Sequence, residues 1–384
     1  MLRVRIVGLL LTSLFLILTL PPAAESETIV VQPPQTISTA IVSSSPGDSI
    51  LVMPGIYPQE SGAAITHPLT IIGIGGASMN EVQVCYDLCY GTMFGVQSTA
   101  GSVMIDGLTL TRWPMFGGEA KGVSVLGPPK VIVRNCVFWG LGGERAFRGI
   151  ELLSSGDVRI ENNLFLGGLV SGVYIRGIDA LIRHNTFTLS PGILLDEGAS
   201  ATIANNLFFR SADAVVCLPR NPPPNPSFAC NNMWENSRNY FGCEDPTGTN
   251  GNIAVDPLLC NPEDEDFRLL PGSPCLPENS PAGCGLIGAF GPCTVTAVDG
   301  APAARVGLTV EPNPIMNAAE FSFVSDVASA ALEIYNIQGR LMEVLIPKDR
   351  QAVWVLDASV PRGIYFARLR GAAVPEVVKF AVVR

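Results

Sequence analysis

Histidine is almost missing from this 384-residue chain, with two copies, and charged residues make up only 15% of it. Two imidazoles leave little from which to build a zinc centre, so a metal reading of the cysteines has weak support. Beyond Leu20 no apolar run has the length of a membrane helix, which takes about 20 residues. Positive charge is also short: over residues 25–304, Lys and Arg number 13 against 26 Asp and Glu. That balance argues against nucleic acid and against non-specific attraction to anionic polymers. A locally basic groove holding an acidic sugar stays compatible with it.

Repetition is what the chain has in quantity. One six-residue phrase recurs as Ile160-Glu161-Asn162-Asn163-Leu164-Phe165, Ile182-Arg183-His184-Asn185-Thr186-Phe187 and Ile203-Ala204-Asn205-Asn206-Leu207-Phe208. Looser copies run from Val133 to Phe138, Ile105 to Leu110 and Ala229 to Trp234, and the closing residues stand 28, 27, 22, 21 and 26 apart. A period of roughly 20 to 30 residues, too short to close its own core, means stacked coils. A second phrase, small-apolar-variable-apolar, keeps step with the first. Its copies begin at Gly122, Gly149, Gly172, Gly192 and Ala214. Period-2 alternation predicts at least two strands per coil and no helix.

Stacking in parallel register makes testable ladders. The residues four before each closing position, Asp106, Arg134, Glu161, Arg183, Ala204 and Cys230, fall on one outward row with alternating charge over the first four rungs. Asn163, Asn185, Asn206 and Asn232 are expected to form a turn ladder, because Asn tolerates left-handed turns and its amide can bond to the next coil. His184, beside that row, reads as structural.

These patterns resemble the right-handed parallel β-helix proteins of the pectate-lyase-like superfamily. The resemblance extends to Thr36–Ile41 and Gly47–Tyr57, which look like the capping helix and first strand of that fold, and covers roughly residues 28–290. It implies an all-β chain, a fold that hosts lyases, hydrolases, epimerases and pure binders. Neither the Asp-Asp pair of polygalacturonase-like enzymes nor the Asp and Arg-Pro motifs of pectate lyases stands in this sequence. Beyond a linker at 294–305, residues 306–384 show six short strand signals, which predict a small antiparallel β-sandwich. Glu311-Pro312-Asn313-Pro314, Ile334–Arg340, Arg362–Phe366 and Lys379–Arg384 resemble the C-terminal sorting domain of type IX secretion cargo, and almost equally the immunoglobulin-like domain of flagellar hook-capping proteins. The resemblance implies a partner in the secretion machinery or an anchor.

The front end agrees with export. Arg3 and Arg5 precede an almost uncharged run from Ile6 to Leu20 that ends in Pro21-Pro22-Ala23-Ala24, the pattern of a signal peptide over residues 1–24. The mature β-helix is then expected over 25–293, secreted or held at the cell surface, without a transmembrane segment. Ten cysteines fit an oxidising compartment. Cys230, Cys243, Cys260, Cys275, Cys284 and Cys293 crowd the end of the repeats as expected staples, with pairings open. Cys85 and Cys89 suit a local bridge, and Cys136 and Cys217 read as buried free thiols.

Function is expected on the two longest loops between phrases. The first holds Trp113, Glu119 and Lys121, the second Trp139, Glu144, Arg145, Phe147 and Arg148. Indole faces stack on sugar rings, while Arg and Glu orient hydroxyls or carboxylates. The plainer alternative has both Trp packing their own loops. Catalysis on this fold needs converging carboxylates, or a base with Ca²⁺ on a carboxylate cluster. Asp264, Glu265 and Asp266 are the weak Ca²⁺ candidates; an acidic run is otherwise a solvated loop. The sequence reading therefore favours a protein that binds an extracellular polysaccharide or cell-surface glycan, or serves a structural or adhesive role. A polysaccharide lyase, hydrolase or epimerase acting in a cleft on the β-helix flank is the alternative.

Overall fold

The structure is a computed structural model that describes residues 26–57, 62–74, 82–84, 91–112, 120–127, 130–140, 147–153, 156–293, 308–323, 331–336, 340–348, 350–357, 359–370 and 376–383, with the backbone alone for Arg112, Arg370, Glu376 and Val377. The expected signal peptide, the 294–305 linker and the Cys85–Cys89 bridge lie outside the described residues. Thr36 caps the one α-helix described, Ile37–Ser43, by accepting from the Thr39 N–H at 3.1 Å. Ile37, Ala40 and Ile41 on its inner side enter the same core as the strands that follow.

Each coil below contributes three strands, one to each of three parallel sheets, here called A, B and C in chain order. Among the described residues sheet A has nine strands and sheets B and C eight each, all joined in coil-to-coil order. The repeated six-residue phrase straddles a corner. Ile160-Glu161 ends a strand of sheet A, Asn162 turns the chain at φ 55°, and Leu164-Phe165 begins a strand of sheet B. Asn135, His184, Asn205 and Cys230 take the same left-handed turn, with φ of 52° to 57°. His184 thus occupies a backbone position that other coils give to Asn.

The Asn ladder forms one residue deeper than that turn. The Asn163 N–H donates to Asn185 Oδ1, the Asn185 N–H to Asn206 Oδ1 and the Asn206 N–H to Asn231 Oδ1, each at 3.0 Å. Asn252 closes the row at 3.1 Å from the Asn231 N–H. The last rungs are Asn231 and Asn252, so Asn232 is corrected: the final phrase sits one residue earlier. Met233 pairs with Phe208 and takes the inward place, while Trp234 pairs with Phe209 under the cap. The charge ladder shifts likewise at its end, from Cys230 to Ala229. Its upper rungs are as expected, with Arg134 on Asp106 and Arg183 on Glu161, both at 3.0 Å.

Inside, Phe138, Phe165, Phe187 and Phe208 stack with centroids 4.9, 4.6 and 4.7 Å apart. The small residue of the second phrase has its reason here. A Cβ on Gly149 would meet Phe165 Cε1 at 3.0 Å and the Gly172 oxygen at 2.5 Å, and Gly122, Gly172 and Gly192 face their own phenyl rings at 2.8–2.9 Å. A side chain at any of them would push the ring column aside.

Two of the outer faces are covered. Residues 253–293 run back along sheet B, burying Leu207, Phe209 and Leu164 beneath Phe267, Leu269 and Ile287. Disulfides Cys230–Cys284 and Cys260–Cys293 fasten this cap, and Cys217–Cys243 ties the lowest coils of sheet C. Cys217 is therefore no free thiol; Cys136 and Cys275 are, both buried. The C-terminal strands form antiparallel sheets of three and four strands around Phe321, Trp354, Tyr365 and Phe380. The strand Leu341–Leu345 adds to those expected from sequence. Ile364, Phe366, Ala381 and Val383 pack on Leu51, Met53, Ile72 and Ile74, covering the first coils of sheet A.

Candidate functional site

Sheet C carries polar side chains on the outer face of its middle coils. Its outward residues are legible from register: Ser124 pairs with Glu151, Glu151 with Tyr174, Tyr174 with Leu194 and Leu194 with Val216. These are the variable positions of the small-apolar-variable-apolar phrase. Three residues earlier in chain order, Lys121 pairs with Arg148 on the adjacent coil.

At the centre lies Glu151, 3% exposed. Lys121 Nζ reaches its Oε2 at 2.5 Å, Arg148 Nη1 donates to its Oε1 at 2.5 Å, and Ser124 Oγ donates to Oε2 at 3.3 Å. A buried carboxylate is costly without partners, and here Glu151 meets two cations among the described residues. The Arg148 guanidinium also lies over the Tyr174 ring, 4.4 Å from its centroid. Tyr174 Oη donates to Asp196 Oδ2 at 2.7 Å, and Asp196 Oδ1 accepts from the Glu197 N–H at 2.8 Å and from Arg220 Nε at 3.0 Å. Arg176 closes the row on Glu197 at 2.7 Å. The chain of contacts Lys121–Glu151–Arg148–Tyr174–Asp196–Arg220 spans several coils of one face.

Burial, with the hydrogen bond to Asp196 second, pushes the Tyr174 phenol up to about 12, so it stays a donor at neutral pH. For Asp196, burial works against ionisation, but the bonds from Tyr174, the Glu197 N–H and Arg220 outweigh it and hold the carboxyl below its usual range. Glu151 and Asp196 stand two coils apart, about 10 Å by strand spacing. Each carboxylate is already bonded to at least one cation.

Of the residues singled out in the sequence, Lys121 and Arg148 come together on this face. Trp139 does not join them: it belongs to sheet B and packs with Val137, Leu166 and Phe267. Phe147 points into the core at 2% exposure. Trp113, Glu119, Glu144 and Arg145 lie outside the described residues. Asp264, Glu265 and Asp266 do not converge. Asp266 is paired with Arg268 at 2.7 Å, Asp264 accepts from Asn261, and Glu265 holds a left-handed turn at φ 61°. Among the described residues no group of three or more His, Cys, Asp or Glu is placed to hold a metal ion. Glu151, Tyr174, Asp196 and Arg220 escaped the sequence reading, although the phrase register marked the first two as outward.

The fold and this face define a parallel β-helix protein with an open polar flank. Residues 78–222 match the family model described as the right handed beta helix region. No curated protein matches the chain. Among solved structures, it is similar to the PL6 family alginate lyase AlyGC, in a mutant form, with a TM-score of 0.35, 10% identity, and coverage of 60% of this chain and 40% of that one. It is also similar to the full-length tailspike protein 2 from Escherichia coli O157:H7 bacteriophage CAB120, with a TM-score of 0.21, 9% identity, and coverage of 88% and 58%. The chain thus spans less than two thirds of either protein, and likeness at these identities concerns the fold alone.

Proposed function

We propose that this protein is exported and binds an acidic extracellular polysaccharide or cell-surface glycan along the outer face of sheet C. The observation that carries the reading is the Lys121–Glu151–Arg148 cluster. Lys121 and Arg148, gathered on one face of a strongly acidic β-helix, favour a carboxylate-bearing chain there, while the acidic surface elsewhere repels polyanions. Tyr174 adds an amphipathic ring to the same face. Export is supported by the three described disulfides, which belong to an oxidising compartment, and by the signal-peptide pattern of residues 1–24. No described helix is long and apolar enough to cross a membrane. The C-terminal sheets, through their sequence resemblance, serve as the sorting or anchoring module.

A lyase is the second reading, favoured by one observation: Lys121 and Arg148 stand in direct register on adjacent coils beside a buried carboxylate, Glu151. One experiment separates the two. The full chain is run by affinity electrophoresis in acidic and neutral polysaccharides, with unsaturated-product absorbance and reducing ends recorded in parallel. Retardation by acidic polymers alone, relieved in Lys121→Met, supports the binder. Absorbance gain establishes the lyase, and neither retardation nor product in any polymer overturns both.

A further inference from the structure

The lower end of the solenoid is unfinished on one side. The Cys230 N–H donates to the Asn250 oxygen at 2.9 Å and Ile253 bridges to Asn232, so one more partial turn continues the corner between sheets A and B. Sheet C gets no such turn: Arg238–Phe241 is its last strand, paired on one side only among the described residues. Alternate residues of a parallel strand send N–H and C=O to opposite sides. The Arg238 N–H donates upward to the Ala212 oxygen at 3.1 Å, so Asn239 and Phe241 direct theirs to the open side. An exposed edge of this kind accepts another strand.

Beside that edge lies a cleft of about 520 Å³, within the size range of ligand sites. Phe228 and the Cys217–Cys243 disulfide supply its apolar wall. The remaining wall carries negative charge and no cation, with Asn225, Ser227, Thr249 and Asn250 as its neutral polar side chains. Pro224, Pro226 and Pro246 have no N–H, Glu244 and Asp245 add carboxylates, and no Lys or Arg lines it. The negative field extends beyond the cleft: burial and then the Asp245 charge push the Tyr240 phenol well above its ordinary value.

We propose that an extended polypeptide segment bearing lysine or arginine docks here, pairing with the open edge of Arg238–Phe241 and placing its cation between Glu244 and Asp245. Backbone pairing supplies affinity, and the acidic cleft selects the side chain. This site lies at the end of the stack and is independent of the sheet C reading above.

The test is calorimetric titration of the full chain with three probes: a hexapeptide of alternating lysine and valine, its backbone N-methylated analogue, and a glucosamine pentamer. The lysine peptide is expected to bind with a dissociation constant of about 1 mM or tighter. The E244Q/D245N variant, whose changes lie at exposed positions, should weaken it about fivefold, and N-methylation by a similar factor or more. Equal binding of the N-methylated peptide overturns the strand pairing. Binding of the pentamer without the peptide overturns the polypeptide partner, and no binding of either overturns the site.

Discussion

Asn185 uses both ends of its amide. Its Oδ1 accepts from the Asn163 N–H and its Nδ2 donates to the Ile160 oxygen at 2.9 Å, all at zero exposure. Asn185→Ala leaves those backbone groups buried without partners, and urea unfolding should show a loss of about 2–4 kcal/mol. His184, next to it, has its pKa lowered from 6.5, by burial first and by Arg183 second. The unfolded chain then takes up the proton first, so stability is lost as pH falls below about 6.5. His184→Asn, which restores the residue of the other corners, should flatten that part of the acid profile of thermal melting. Tyr174 gives the opposite sign. Its phenol holds the proton to about 12 folded against 10 unfolded, so stability falls as pH rises through that window, and Tyr174→Phe should remove its share. Asn185 was legible in sequence because Asn recurs at the same place in successive coils, so each coil brings the next its own kind of partner. The roles of Glu151 and Cys217 were not, since they depend on which residue the next coil brings alongside, Lys121 or Cys243.

Between coils, the glycine-to-phenyl contact sets the packing of whole strands. Gly149→Ala should cost about 1–3 kcal/mol in chemical denaturation, and adding Phe165→Leu should recover part of it by freeing the space the methyl needs. Non-additivity of the pair is the measurement that checks the contact. The constant phase of Gly and Phe, 15 or 16 residues, was plain in the sequence because both ends are inward and repeat with the coil. Corner geometry was harder to see: a six-residue alternation looks like one strand until Asn162 turns it at φ 55°. The strand Leu341–Leu345 was missed for a related reason. Leu341, Glu343 and Val344 are all exposed, so it lacks the alternation by which half-buried strands announce themselves.

For the molecule as a whole, the C-terminal sheets are seated on the first coils through Ile72, Ile364 and their neighbours. Ile72→Asp, a charge at a site 2% exposed, should release them, and small-angle scattering should record a larger radius of gyration with the β-helix still folded. The two-part architecture could be read from composition and pattern; this contact could not, because outward apolar residues on a strand look the same whether a domain or solvent meets them. One feature of the stack reaches further. Every core row repeats with the coil, whereas the sheet C row changes identity at each step from Ser124 to Glu151, Tyr174 and Leu194. Excision of the 22 residues from Leu164 to Asn185 would join Asn163 to Thr186 and set Phe187 directly beneath Phe138, leaving the interior pattern intact. The same excision would remove Tyr174 and Arg176 from the outer face. Over evolutionary time such a chain can lengthen or shorten by whole coils at little expense to its architecture, while each such event rewrites what its flank recognises.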